Sequence, residues 1–114
     1  MATIYKICPA ASWRAAQSTG VFVGSEVDRR DGYIHFSTAT QVAETAARHF
    51  SGENDLVLVA VDSERLGAAL KWEPARSGEL FPHLYAPLDL TAAGSVEPLP
   101  LGADGQHQFP VLAR

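Results

Sequence analysis

His35 is the residue whose type and position most favour a role in catalysis or binding. It lies in a strand-like segment of alternating polar and apolar residues, just before a predicted helix. Alternation places Tyr33, His35 and Ser37 on one face of that segment. Helix starts present free amides that favour anions, so an imidazole beside the hydroxyls of Ser37 and Thr38 could bind a phosphate or a ribose hydroxyl. The alternative is a core histidine whose ring hydrogen-bonds a backbone carbonyl, and periodicity leaves the two interpretations open.

His83 lies in a second strand-like segment, Phe81-Pro82-His83-Leu84-Tyr85. Alternation places Phe81, His83 and Tyr85 on one face, where an imidazole between two aromatic rings could form the wall of a pocket for a planar ring. A packed aromatic cluster at a sheet edge is the open alternative. Glu73 adds a carboxylate that could act as a base or stabilise positive charge, although a glutamate at a strand end is more often solvated.

Generic catalytic and metal-binding motifs are absent from the sequence. There is no phosphate-binding loop, no Gly-x-Ser-x-Gly turn and no pair of histidines spaced i,i+4 on a helix, so we expect no metal site. The single cysteine, Cys8, cannot form an internal disulfide and fits a reducing compartment. We interpret it as a small buried residue at a strand end, because no basic cluster beside it would lower its pKa.

Hydrophobic periodicity and turn residues predict the elements that position these side chains. Strands are expected at 3–8, 33–37, 56–61, 70–73, 81–90 and 96–101, and helices at about 12–19 and 40–50. The apolar run 56–61 is typical of a central strand buried on both faces. Pro82 and Pro87 predict an edge strand or strands broken by bulges, since proline cannot donate a ladder hydrogen bond. Residues 21–27 are expected to be irregular or weakly extended.

A capping box is predicted at the start of the second helix, from Thr38 and Gln41. The order of the elements, with two early helices followed by several strands, indicates an α+β fold with a mostly antiparallel sheet. With 114 residues, 46% of them hydrophobic, the chain fits one domain at 1–114 that needs no metal or disulfide. The polar segment 102–114 is expected to dock only loosely.

Charge and targeting features narrow the class of partner. The net charge of −4 gives no general attraction to nucleic acid, so we expect no DNA partner, and it argues against RNA. The N-terminus lacks a signal-peptide pattern, and no apolar run approaches the roughly 20 residues that span a bilayer. A cytoplasmic protein with no membrane partner is the expectation.

Two segments carry a resemblance to a known family. The stretch from Asp31 to Thr38, Asp-Gly-Tyr-Ile-His-Phe-Ser-Thr, and the stretch Phe-Pro-His-Leu-Tyr from Phe81 to Tyr85 together resemble the DUF 952 family of small bacterial proteins, over about residues 4–91. The fold of that family is similar to that of ADP-ribosyltransferases, a split antiparallel sheet that clamps NAD. The nearest functional analogue is the NAD-dependent RNA 2′-phosphotransferase, which also carries an Ile-His-apolar strand. This step to NAD chemistry is an analogy at the level of the fold.

The resemblance implies that NAD or a related nucleotide binds in a cleft, with ADP-ribosyl or phosphoryl transfer as the associated reaction. It assigns catalytic roles to His35, His83 and Glu73, and cofactor binding to Lys6, Tyr33, Ser37, Thr38, Phe81 and Tyr85. Lys6 stands where many family members have histidine and would replace it only as a point charge. The alternative is a non-catalytic ligand-binding or interaction module, a monomer or a homodimer, whose histidines and aromatic residues are structural.

Overall fold

The computed structural model describes residues 2–112 as an α+β fold in which every strand pairing is antiparallel. The strands are β1 (Thr3–Pro9), β2 (Val21–Phe22), β3 (Ile34–His35), β4 (Ser37–Thr38), β5 (Leu56–Asp62), β6 (Leu70–Pro74), β7 (Leu80–Leu84), β8 (Leu88–Asp89) and β9 (Ala93–Pro98). The α-helices are α1 (Ala10–Thr19), α2 (Glu26–Asp31) and α3 (Val42–His49), with 3₁₀ helices at Ser63–Ala69, Arg76–Gly78 and Leu90–Ala92. The predicted α+β class with mostly antiparallel pairing is confirmed.

The strands form a four-stranded sheet in the order β4-β1-β5-β9, a three-stranded sheet in the order β3-β7-β6, and the pair β2-β8. β5 lies inside the largest sheet, between β1 and β9, as its apolar run predicts. Its alternate residues enter two different cores, with Val59 and Val61 in the first and Leu56 and Leu58 in the second. Both faces of β5 are therefore covered.

The C-terminal segment is docked, and the expectation of loose docking is wrong for its described part. Phe109 and Leu112 pack against the second core, and the Nε2 atom of His107 lies 2.9 Å from the carbonyl oxygen of Glu53. The segment is polar overall, so its composition did not predict that a few apolar side chains would pack against the second core. Residues 113 and 114, which the prediction also included, lie outside the described residues. No helix within residues 2–112 is long and apolar enough to cross a membrane.

The segment 21–27, predicted to be irregular or weakly extended, contains the short strand β2, as expected, and also the start of α2, which was not predicted. A reciprocal capping box begins this helix, because Ser25 accepts from the backbone N–H of Asp28 while the Asp28 carboxylate accepts from the N–H of Ser25. By contrast, only half of the box predicted at Thr38 forms. The Gln41 side chain accepts from the Thr38 N–H, at 3.0 Å, and α3 begins one residue later.

Of the two alternatives predicted around Pro82, the edge strand is wrong, because β7 is the middle strand of its sheet. An antiparallel residue directs its N–H and its C=O toward the same neighbouring strand. The carbonyl of Pro82 accepts from the N–H of Phe36, just beyond the end of β3. The missing N–H therefore points toward the same neighbour, at the last residue of the β3 pairing, so only the reciprocal bond at that end is absent. Pro87 lies between β7 and β8.

Candidate functional site

The predicted strand over residues 33–37 divides between two sheets, and this division builds the site. β3 pairs with β7, whereas β4, one residue later, pairs with β1 of the large sheet. Ile34 and Phe36 enter the first core, so His35 and Tyr33 lie on the opposite face. Their rings touch, with centroids 4.6 Å apart, and His35 is thus placed where the two sheets meet.

The helix α2 brings a buried carboxylate to His35. Asp28 is its third residue and is held by the capping box with Ser25. Gly24 leaves space for it, since a Cβ atom there would lie 2.7 Å from the Cβ of Asp28, and φ at Gly24 is +106°. The helix ends at Gly32, whose φ of 90° is the left-handed conformation that glycine adopts easily.

Asp28 is the centre of a buried hydrogen-bonded network. The Nζ atom of Lys6 lies 3.0 and 2.8 Å from its two carboxylate oxygens. His35 contributes two contacts to Oδ1, from its Nδ1 atom at 2.6 Å and from its backbone N–H at 3.1 Å. Burial alone would raise the pKa of Asp28, but the hydrogen bond from His35 and the charge of Lys6 hold it well below its usual value. Asp28 is therefore ionised at neutral pH.

A second carboxylate of α2 faces the other nitrogen of the same ring. The Oδ2 atom of Asp31 lies 3.0 Å from Nε2 of His35, so each ring nitrogen of His35 faces a carboxylate. A hydrogen bond from Arg30 and the nearby positive charges lower the pKa of Asp31. Asp28 and Asp31 are three residues apart and so share one side of the helix.

His83 is the register partner of His35 across the β3-β7 pair. Its Nδ1 atom lies 2.7 Å from Oε1 of Glu73, and the hydroxyl of Tyr85 donates to the same oxygen at 2.7 Å. These hydrogen bonds, that of Tyr85 first, lower the pKa of Glu73. The same contact with Glu73 raises the pKa of Tyr85 to about 12. Tyr85 therefore remains a neutral donor, and Glu73 remains charged at neutral pH.

Tyr33 joins the two histidines to Tyr85. Its ring stacks on His83, with centroids 4.1 Å apart and planes at 27°, and lies 5.1 Å from the ring of Tyr85. The rings of His35 and His83 are 5.6 Å apart, edge to face. We call these four residues, Tyr33, His35, His83 and Tyr85, the ring cluster. The two histidines lie side by side in it and do not face each other across a gap.

An open pocket of about 300 Å³ adjoins the ring cluster. It is lined by Val23, Asp28, Arg29, Gly32, Tyr33, Ile34, Leu84, Tyr85, Ala86 and Pro87. The exposed guanidinium of Arg29 is positioned by a 2.8 Å hydrogen bond from Nη1 to the carbonyl of Gly24. Aromatic rings and a guanidinium in the lining of one pocket suit a ligand with a planar ring and an anionic group. Within residues 2–112, no group of three or more His, Cys, Asp or Glu side chains is arranged to hold a metal ion.

The structure brings together six of the nine side chains predicted for the site. Lys6 belongs to the buried network, where its ammonium contacts Asp28, and it does not line the pocket. The other five are Tyr33, His35, Glu73, His83 and Tyr85.

The remaining three, Ser37, Thr38 and Phe81, lie elsewhere. The hydroxyl of Ser37 forms a 2.9 Å hydrogen bond with that of Thr45. The backbone N–H of Thr38 donates to the side chain of Gln41, just before α3. Phe81 lies under the guanidinium of Arg76, 4.8 Å from ring centroid to Cζ. Ser37 and Thr38 leave the face of His35 because the chain passes into the large sheet after Phe36.

Neither Asp28 nor Asp31 was predicted as a site residue. The available signal was the pattern Ser25-x-x-Asp28, which caps a helix as Ser-x-x-Glu does, followed by Gly32 as the stop. A short helix so defined would have placed both aspartates on one side and next to the strand of His35.

The comparisons with known proteins agree on one family. The family model described as "Protein of unknown function (DUF952)" matches residues 7–96. The chain is 50% identical to protein CC0527 from Caulobacter crescentus in its X-ray crystal structure, with 93% of each chain covered and a TM-score of 0.90. The solution NMR structure of CC0527 gives 50% identity over 95% of this chain and 93% of that one, with a TM-score of 0.85. None of the curated proteins matches. The match over most of its length shows that the chain belongs to the DUF952 family, whose function is unknown.

Proposed function

We propose that the pocket beside the ring cluster binds NAD or a related nucleotide and supports ADP-ribosyl or phosphoryl transfer. The observation that carries the proposal is that Tyr33 and Tyr85 line an open pocket and that the ring of Tyr33 also contacts both histidines. Aromatic faces and a few convergent polar groups beside a cavity are the usual composition of a small-molecule site. The resemblance of the family fold to ADP-ribosyltransferases supports the choice of nucleotide as an analogy.

The size of the pocket selects which part of NAD enters. At about 300 Å³ the pocket is at the small end of the range for ligand sites. A nucleoside-sized portion fits this volume, and a whole dinucleotide does not. One half of NAD therefore enters, and the other half lies across the surface.

The distribution of charge selects the nicotinamide half. The Tyr85 and His35 side chains each bond a charged carboxylate, Glu73 and Asp31, so the aromatic wall is backed by negative charge. A cationic ring gains from aromatic faces and from such carboxylates. Arg29, which also lines the pocket, supplies positive charge for the pyrophosphate. The oxidised nicotinamide ring is the cationic ring of NAD.

Thermal unfolding in the presence of NAD, ADP-ribose or nicotinamide tests the proposal. A ligand at 100 times its Kd adds roughly 2.7 kcal/mol of stability, so NAD should raise Tm by several degrees. ADP-ribose, which lacks the cationic ring, should raise it less. No shift with any of the three at millimolar concentration would overturn the proposal.

The chain offers a matched control for the aromatic wall. Tyr85 and Trp72 are 45% and 42% exposed, but Trp72 precedes Glu73 in β6 and so projects from the opposite face of the sheet. Tyr85→Ala should abolish the shift produced by NAD, whereas Trp72→Ala should leave it intact. Equal losses in the two variants would contradict binding at the ring cluster.

The alternative is a non-catalytic module whose ring cluster is structural. The observation in its favour is that the four rings already pack on one another and that His83 is buried. This alternative expects His35→Ala to lower Tm sharply and to change no response to a ligand. Binding in the pocket expects a smaller fall in Tm and loss of the response to NAD.

A further inference from the structure

We infer that a second copy of this chain binds at the outer edge of β6 and pairs its own β6 there as an antiparallel neighbour. The pairing joins the three-stranded sheets of the two copies into one continuous sheet, about a two-fold axis at Trp72. The inference does not depend on the proposed nucleotide, because Lys71, Trp72 and Pro74 do not line the pocket.

The outer side of β6 is uncovered. β7 pairs with β6 on one side, and no other strand within residues 2–112 pairs with it. The hydrogen bond from the N–H of Tyr85 to the carbonyl of Ala69 fixes which residues of β6 bond β7. By alternation these are residues 71 and 73, so the backbone N–H and C=O of Trp72 point outward. Outward backbone groups of this kind are a template for another strand.

The outward residues of β6 are Leu70, Trp72 and Pro74, and they differ in what their backbones can donate. The N–H of Leu70 already donates to the carbonyl of Gly67, and proline has no N–H. The backbone of Trp72 forms no hydrogen bond outside the β6–β7 ladder in the described part of the chain. Each copy therefore offers one outward donor, at Trp72, to the other copy.

The charges that flank Trp72 select the register of the pairing. Lys71 and Glu73 project from the same face of β6, opposite to that of Trp72. When the two copies of Trp72 lie directly opposite, Lys71 of each copy faces Glu73 of the other, which gives two pairs of opposite charge. Moving the two-fold axis by one residue in either direction places Lys71 opposite Lys71, or Glu73 opposite Glu73. Like charges directly opposite destabilise a strand pair, so one register is favoured.

The side chain of Trp72 adds apolar contact at the axis. It is 42% exposed, on the face of β6 from which Leu70 packs against the first core. Pairing brings the two indole rings together across the axis, and tryptophan is among the residues that contribute most to interfaces. The paired segment is short, from Lys71 to Glu73, so the association is reversible and depends on protein concentration.

The second copy also brings a charge to the candidate site. Glu73, the carboxylate that binds Tyr85 and His83, is the group that Lys71 of the second copy faces. Beside the hydrogen bonds of Tyr85 and His83, the charge of Lys71 in the same chain lowers the pKa of Glu73. A second ammonium should lower it further. The interface and the ring cluster therefore share one carboxylate.

Sedimentation equilibrium of the full chain, over a concentration series up to the millimolar range, tests the inference. We expect a reversible monomer–dimer equilibrium. Lys71→Glu and Glu73→Lys each place like charges opposite and should raise the Kd of the dimer at least about tenfold. An equimolar mixture of these two variants restores both pairs of opposite charge and should associate again. Arg14→Glu, which makes the same change of charge on the exposed side of α1, is the control and should dimerise normally.

Trp72→Ala keeps both charges and should also weaken the dimer, which tests the axis without altering the carboxylate of the site. A protein that stays monomeric at every concentration would overturn the inference, and Lys71 and Pro74 would then protect the edge from pairing. Association that persists unchanged in Lys71→Glu and in Trp72→Ala would place the interface elsewhere and would overturn it too. A mixture that associates no better than its separate components would contradict the register.

Discussion

The two histidine–carboxylate pairs of the site have the same chemistry and opposite burial. In the first pair Asp28 is 2% exposed and His35 is 34% exposed, whereas in the second Glu73 is 38% exposed and His83 is 6% exposed. A buried carboxylate must be fully hydrogen-bonded, and Asp28 is, through Lys6, Ser25 and His35. An exposed carboxylate keeps its water. The first pair therefore contributes to stability, and the second can change its protonation at little cost to the fold.

Removing the buried carboxylate should have the largest effect on stability. Asp28→Ala leaves the Lys6 ammonium buried without its partner and removes the capping box of α2. We expect a loss of about 3–5 kcal/mol in the free energy of unfolding, the usual cost of breaking a buried ion pair. Urea unfolding at neutral pH measures it.

Glu73→Ala is the matched variant in the exposed pair. It removes a carboxylate that also has two hydrogen-bond partners, but this carboxylate is 38% exposed, and the Tyr85 hydroxyl that it leaves belongs to an exposed residue. We expect a much smaller loss than for Asp28→Ala. Losses of similar size in the two variants would show that burial does not separate the pairs.

Low pH should reduce the stability contributed by the two pairs to different extents. The pKa of Asp28 is lower in the folded protein than in the unfolded chain, so its contribution is fully present above the unfolded pKa and is lost as the pH falls. The loss should begin below about pH 5. Urea midpoints from pH 7 to pH 3 should fall steeply for the unmodified protein and less steeply for Asp28→Asn. Glu73→Gln should keep most of the steep fall, and parallel curves for all three proteins would contradict the assignment.

The parts of the fold that sequence predicted are those in which local pattern and packing agree. The apolar run of β5 predicted a strand buried on both faces, and the strand has that burial in the structure. Pro82 was misread because its effect depends on which neighbouring strand its missing N–H faces. That direction is set by tertiary pairing with β3, and local sequence does not contain it.

The candidate site was predictable only in its strand residues. His35, His83 and Tyr85 alternate with apolar side chains, and alternation places them on one face. Asp28 and Asp31 lie on a six-residue helix, too short for hydrophobic periodicity to show. Their proximity to His35 results from the tight turn at Gly32, a contact between helix and strand that no single-segment pattern describes.

We expect the smallest effect from removing the Tyr85 hydroxyl. This hydroxyl donates one hydrogen bond to Glu73, the carboxylate of the exposed pair. Tyr85→Phe keeps the ring against Tyr33 and removes the first of the hydrogen bonds that lower the pKa of Glu73. The pKa of Glu73 should therefore rise toward its ordinary value, and carboxyl ¹³C NMR titration measures it. Tyr33→Phe is the control, because the partners of Glu73 are Tyr85 and His83. Since His83 remains as a partner in Tyr85→Phe, the pKa should stay below normal, and an unchanged pKa would mean that the imidazole alone holds the charge of Glu73.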